Sequence, residues 1–371
     1  MSVLIEGRLV MSVRMTVGML AAVLALPVPV QAQSEDGSAA EGPLAEDVYK
    51  NIQVLQGVPA DQIRPTMQLI SSSLGVRCGH CHVSNAQERD DKPEKQIARK
   101  MIRMVLSNNR EYFDGERELS CFTCHRGNRR PVGTPIPSDM GRRSRSPSNV
   151  DRSELPDPVA LLDKYIEATG GASAVAAISS RTATGSVESA ASNPFPVEVY
   201  RKGKDKGLVI TRMVGNDTSV GVNGDGGWTS SPGRGTRDMT AGATQAALLE
   251  DDLYLLQNVK QHYTRWRHGS PEDVNGAQTY VLNGSSSGRT PVRLYLDQQS
   301  GLLLRLMHFA ETPLGRLPTQ IDYSDYRVVD GIQVPFRIFS IRPDTRGTLL
   351  LETVEHNTPI DNSKFVKPDV M

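Results

Sequence analysis

Residues 67–82 read MQLISSSLGVRCGHCH and residues 121–125 read CFTCH. Each stretch ends in C-x-x-C-H, at Cys78, Cys81 and His82 and again at Cys121, Cys124 and His125. In that spacing two thiols can add across the vinyl groups of a haem while the adjacent imidazole turns onto the iron, so five contiguous positions suffice. The chain has four cysteines and all of them fall in these two motifs, which leaves none for a disulfide framework. Two covalently bound haems c are the direct reading, with His82 and His125 on the irons. A four-cysteine zinc site would use the same sulfurs, but zinc gives no reason for a histidine directly after both pairs. A thioredoxin-like redox pair needs a strand leading into it, whereas Ser71 to Arg77 read as the end of a helix.

Working outward, Pro65 can open a helix that Gly75 ends, with Met67, Ile70 and Leu74 on one face. A methionine there is core packing by default, yet a helix passing beside the haem could present the Met67 sulfur opposite His82. The second motif repeats the plan. Asp90 and Asp91 precede Pro93, and Ile97, Met101, Met104 and Val105 form an apolar stripe on a helix running to about Asn108. Either Met101 or Met104 could reach the second iron. Asp114-Gly115 turns the chain back toward Cys121.

The run from Asn51 to Gly133 carries NIQVLQGVP, RPTMQLISSSLGVRCGHCHV, DDKPEKQIARKMIRMV and CFTCHRGNRRPVG. It resembles the photosynthetic reaction-centre cytochrome c subunit family. In that family a helix before each attachment motif supplies an axial methionine, so the resemblance implies Met67 for the first haem and Met101 for the second. Met104 then becomes a flanking core residue. The similarity covers under a quarter of the 371 residues. Subunits of that family commonly carry four haems, whereas this chain has two attachment motifs.

At the N-terminus Arg14 precedes an apolar run from Val17 to Val30 and a small-residue site at Val30-Gln31-Ala32, which reads as an export signal over residues 1–32. Export suits c-type haem attachment and implies a periplasmic protein, membrane-associated only through a partner. Residues 33–50 read as a disordered tether, 51–131 as the dihaem module and 132–155 as a Pro, Ser and Arg-rich linker. Arg126, Arg129, Arg130, Arg142, Arg143 and Arg145 face only Asp139 across that interval. A solvated linker or an acidic docking partner would account for the run. Acidic and basic residues balance at 42 each, so there is no electrostatic case for nucleic acid.

From residue 156 to 371 the pattern is mostly β. A helix opens at Asp157-Pro158 and closes at Gly170-Gly171, burying Leu161, Leu162, Tyr165 and Ile166. Val292 to Asp297 alternate, and Leu302 to Phe309 can return as a hairpin partner. Asp330-Gly331 joins Thr319–Val329 to Ile332–Ile341, and a helical interruption falls near Thr244 to Asn258. The fold class is therefore multidomain. A small all-α dihaem cytochrome c module precedes an α+β domain with a large curved antiparallel sheet, similar in outline to the open barrel of the LolA lipoprotein carriers. His262, His268, His308, His356 and Trp228 read as core or surface residues, not ligands.

These readings point to an exported electron carrier with no catalytic residue and with redox proteins, including a membrane-protein acceptor, as partners. A dihaem cytochrome c peroxidase-like enzyme is the alternative, but it needs an open distal position that the methionine helices argue against. A second alternative joins the haem module to a β domain that binds a lipid or other apolar ligand. Separate folding of the β domain is also expected, since about 200 residues can bury a core of their own. On that expectation a chain cut near Ser148 keeps both haems with unchanged potentials.

Overall fold

The computed structural model describes residues 42–131 and 155–368, apart from 190–191, 216, 225, 234 and 343–344. The expected export signal, half of the tether (33–41) and nearly all of the linker lie outside the described residues.

The first half is built from helices α1 (Ala45–Val48), α2 (Ala60–Leu74), α3 (Pro93–Tyr112) and α4 (Cys121–His125), with a 3-10 turn at Cys78–His80. The helical packing begins earlier than residue 51. Ala45 is fully buried with Leu55, Ile63 and Leu69, and its N–H donates to Val58 O at 2.8 Å, so residues 44–50 belong to this core and not to a tether. Pro65 lies inside α2 and does not open it; the helix starts at Ala60, whose N–H donates to Pro43 O at 2.9 Å. Gly75 ends α2 in the left-handed region at φ 65, as expected. A Cβ there would lie 2.2 Å from Gly127 O, so the end of α2 rests against the tail of the second motif.

On α3 the buried face differs from the expected stripe. Lys95, Arg99, Ile102, Val105 and Asn109 are buried, while Ile97, Met101 and Met104 are 56%, 38% and 45% exposed. The cause is Asp90. It pairs with Lys95 Nζ at 2.9 Å and Arg99 Nη1 at 2.9 Å, which draws both cations inward and turns Ile97, Met101 and Met104 away. Met104 is therefore not a core residue.

The second half begins with α5 (Pro158–Thr169), capped by Asp157 and closed at Gly170, and α6 (Ala172–Ala176). Strands β1 (Ser180–Ser189), β2 (Ser192–Lys202), β3 (Lys206–Thr211), β4 (Thr218–Asn223), β5 (Gly226–Ser231) and β6 (Gly235–Asp238) follow. Helices α7 (Ala241–Leu249) and α8 (Asp252–His262) interrupt them. Then come β7 (Arg265–His268), β8 (Asp273–Val274), β9 (Ala277–Ser285), β10 (Val292–Asp297), β11 (Leu303–Thr312), β12 (Gly315–Val329), β13 (Ile332–Ile341) and β14 (Arg346–His356).

These strands form a 14-stranded sheet in the order β6-β5-β4-β3-β2-β1-β14-β13-β12-β11-β10-β9-β7, with β8 paired to β9. Every pairing is antiparallel, and β6 and β7 are its two ends. The Asp330-Gly331 turn has φ of 50 and 80, the left-handed pair that a tight hairpin requires. Leu161, Leu162 and Tyr165 of α5 and Leu253, Leu255, Leu256 and Val259 of α8 share one core with Leu294, Leu296, Leu306 and Ile321 of the strands.

The elbow between α7 and α8 is fastened by charge. Glu250 contacts Arg342, Asp251 Oδ2 accepts from Arg201 Nε at 2.6 Å, and Arg181 Nη1 donates to both Asp252 oxygens at 3.0 Å. His308 Nε2 lies 3.6 Å from Glu250 Oε1 and the residue is buried, which decides between the core and surface places that the sequence left open.

The two halves meet at the tip of the β11–β12 hairpin. Leu314 is fully buried and Leu317 nearly so, in one cluster with Leu69, Ile102, Val105 and Cys121 of the helical half. Arg117 Nη1 donates to Thr312 O at 2.7 Å and Arg117 Nη2 pairs with Glu311 at 3.2 Å. Gly315 has φ 134, and a Cβ on it would sit 3.3 Å from the Ser120 Cβ.

Candidate functional site

Both attachment motifs lie on short helical turns immediately after a chain reversal. Cys78 to His80 form a 3-10 turn, and Cys121 to His125 form α4, whose capping box joins Ser120 and Thr123. The helical turn places the two sulfurs of each motif on one side and carries the histidine past them. Cys78 and Cys124 are exposed, Cys81 is half-buried and Cys121 is buried. Burial pushes the Cys81 and Cys121 thiols up, so neither has the lowered value of a reactive thiolate. Among the described residues no three Cys, His, Asp or Glu side chains converge where they could hold a metal ion by themselves.

The histidines carry the most informative geometry. His82 Nδ1 lies 3.0 Å from Gln87 O, and His125 Nδ1 lies 2.9 Å from Asn128 O. A carbonyl can only accept, so in both rings the proton is on Nδ1 and the Nε2 lone pair is left for a metal. That is the arrangement an iron ligand of this type takes, with its second nitrogen fixed by a backbone carbonyl. The residues therefore fit covalent haem at both motifs. Cys78 and Cys81 would hold one and Cys121 and Cys124 the other, with His82 and His125 on iron.

Met67 is half-buried on α2 beside Ile63 and Ile70, and Met101 and Met104 share the outward face of α3 with Ile97. The first motif is tied to α3 through a polar cluster that the sequence reading passed over. Lys95 Nζ donates to Gln87 O at 2.8 Å, Glu88 O at 3.0 Å and Arg89 O at 2.8 Å, while Arg99 Nη1 binds Asp90 at 2.9 Å. Bonds from Arg99 and Lys95 hold the Asp90 carboxyl well below the usual carboxylate range. Lys95 and Arg99 stand in helical phase with Ile102 and Val105, and that phase was the signal available for their burial.

Residues 12–155 match the photosynthetic reaction centre cytochrome C subunit family. A photosynthetic reaction center cytochrome c subunit of Thermochromatium tepidum is 33% identical over 91 residues, 24% of this chain and 22% of that protein. Cytochrome c-554 of Chloroflexus aurantiacus is 39% identical over 82 residues, 20% of each chain. The chain thus spans about a fifth of the length of these reaction-centre and cytochrome relatives. The sheet half is similar to a DUF1329 family protein from Desulfovibrio piger, at 16% identity and a TM-score of 0.42 over 57% of this chain and 98% of that one. A LolA superfamily protein from Nitrosomonas europaea gives 14% identity and a TM-score of 0.40 over 57% of this chain and 99% of that one.

A surface groove of about 500 Å³ runs along Ser179, Ser180, Lys202 and Asn357 to Asp361. Among the described residues no helix is long and apolar enough to cross a membrane.

Proposed function

We propose that the chain is an exported dihaem c-type cytochrome that carries electrons between periplasmic or membrane-bound redox proteins. One haem is held by Cys78 and Cys81 with His82 and Met67 as ligands, the other by Cys121 and Cys124 with His125 and Met101. The observation that carries this reading is the matched pair of histidines, each with Nδ1 on a backbone carbonyl and Nε2 free. Bound haem supplies a one-electron couple at iron. The protein's part is to fix the two imidazoles in the ligating tautomer and to supply a thioether to each iron. Such ligation leaves no position for a substrate and favours a carrier over a peroxidase. A membrane reaction centre is one class of partner consistent with the relatives, and the module at residues 51–131 is the part that would meet it.

Acid-acetone extraction followed by intact mass tests the proposal. Haem should stay with the polypeptide, and the mass should fit two groups. Haem that leaves the chain, or a mass fitting only one, would overturn it.

A further inference from the structure

The two motifs are not equivalent, and the difference lies behind the histidines. Gln87 O, which accepts from His82 Nδ1 at 3.0 Å, also accepts from Lys95 Nζ at 2.8 Å. Lys95 is 8% exposed and sits in α3, so this ammonium is built into the core and does not reach over from the surface. Its other partners are Glu88 O, Arg89 O and Asp90 Oδ1, and together they form a cup that closes residues 87–90 around one cation. Asn128 O, the acceptor for His125, receives no side-chain cation among the described residues.

We propose that Lys95 is the positioning residue of the first haem, fixing through Gln87 O both the orientation of His82 and its strength as an electron donor. The inference rests on the dihaem reading. An oxygen already bonded to an ammonium has less electron density to offer a second donor, so the His82 Nδ1–H bond is weaker than its counterpart at His125. A weaker bond on Nδ1 makes Nε2 the poorer donor, because second-shell acceptors are what raise the basicity of a ligating imidazole. A poorer donor stabilises ferric iron less. The cluster of Lys95, Arg99 and Asp90 also keeps one net positive charge beside the motif, which acts in the same direction. Lys95 therefore raises the potential of the first haem above the value it would have without this bond.

The test uses the full-length holoprotein with Lys95→Met, Lys95→Arg and Arg99→Met. Arg99 shares Asp90 but does not touch Gln87 O, so its variant separates the local bond from the general field. Each haem's potential is assigned in chains lacking one cysteine pair, and exchange of the histidine Nδ1–H protons is followed by NMR of reduced protein labelled with ¹⁵N-histidine. Lys95→Met should lower the potential of the first haem, leave the second unchanged and speed exchange at His82 only. Lys95→Arg should restore the potential, and Arg99→Met should leave His82 exchange as in wild type. Equal shifts in both haems, an unmoved first haem, or an Arg99→Met variant that reproduces Lys95→Met would each overturn the proposal. If Lys95→Met does not fold, Lys95→Gln takes its place with the same outcomes. Wild-type protein without covalent haem would sink the dihaem reading itself, and the His82 exchange comparison would still decide whether Lys95 holds the ring.

Discussion

Met101 and Met104 stand one helical turn apart on the outward face of α3, and side-chain exposure does not choose between them. The resemblance to the reaction-centre cytochrome c subunits favours Met101, so Met101→Ala should weaken the thioether-to-ferric charge-transfer band to about half, as Met67→Ala should for the other haem. Loss of the band in Met104→Ala with an unchanged Met101→Ala would reverse the choice. A second prediction concerns Asp90. Its folded carboxyl is depressed by Arg99 and Lys95, so the stability it contributes is complete above the unfolded value of about 3.9 and is lost as pH falls toward the folded value. Hydrogen exchange along α3 should therefore rise in acid in the wild type. Asp90→Asn should exchange faster at neutral pH and show a flatter acid limb, and identical profiles would remove Asp90 from the account. The two C-x-x-C-H motifs were legible because covalent haem would need contiguous residues. The imidazole tautomers were not, since they depend on carbonyls at Gln87 and Asn128 whose direction no side-chain pattern encodes.

Elements with a local signal were read nearly as they stand, and those that depend on a remote partner were not. Asp157 and Gly170 bound α5, and Asp330-Gly331 turns β12 into β13, because capping and left-handed backbone are chemistry of the residue itself. The stripe on α3 was misplaced because a buried lysine and arginine look like a solvated face until Asp90 is set between them. The elbow of α7 and α8, read from the sequence only as a helical interruption near Thr244 to Asn258, shows the same effect at the three consecutive acids Glu250, Asp251 and Asp252. Each one meets a basic side chain that follows or lies in a different strand. Burial pushes the Asp252 carboxyl up, with the Arg181 guanidinium opposing it. Asp252→Asn should cost about 3–5 kcal/mol, because Arg181 then stays buried without its counter-charge. Chemical denaturation with the denaturant slope held constant measures it. The double change Arg181→Met with Asp252→Leu should recover much of the loss, and a single variant as stable as wild type would show that the pair is relaxed by water.

For the whole molecule the question is whether the helical half stands without the sheet. Glu41–Met371 is one compact unit, and the β11–β12 tip places Leu314 and Leu317 in the core that also holds Cys121. Nothing in the Thr312-Pro313-Leu314-Gly315 turn announces a partner 195 residues away, which is why the sequence suggested two independent modules. Burying a leucine is worth about 1.5–3 kcal/mol, so removing the hairpin withdraws roughly 3–6 kcal/mol from the helical half. A domain of that size is stable by only about 5–13 kcal/mol, so the loss is a large share of what it has. A chain cut near Ser148 should keep its thioether bonds, because they are covalent. It should also melt at a lower temperature, with faster exchange over Arg117 to Cys124, and its second haem should shift in potential more than its first. The separate piece from residue 155 onward should unfold cooperatively without haem, since α5, α8 and the strands share their own core. Potentials, melting and exchange identical to the full chain would show instead that the hairpin only rests on the helices, and the two halves would then be free to act as separate modules.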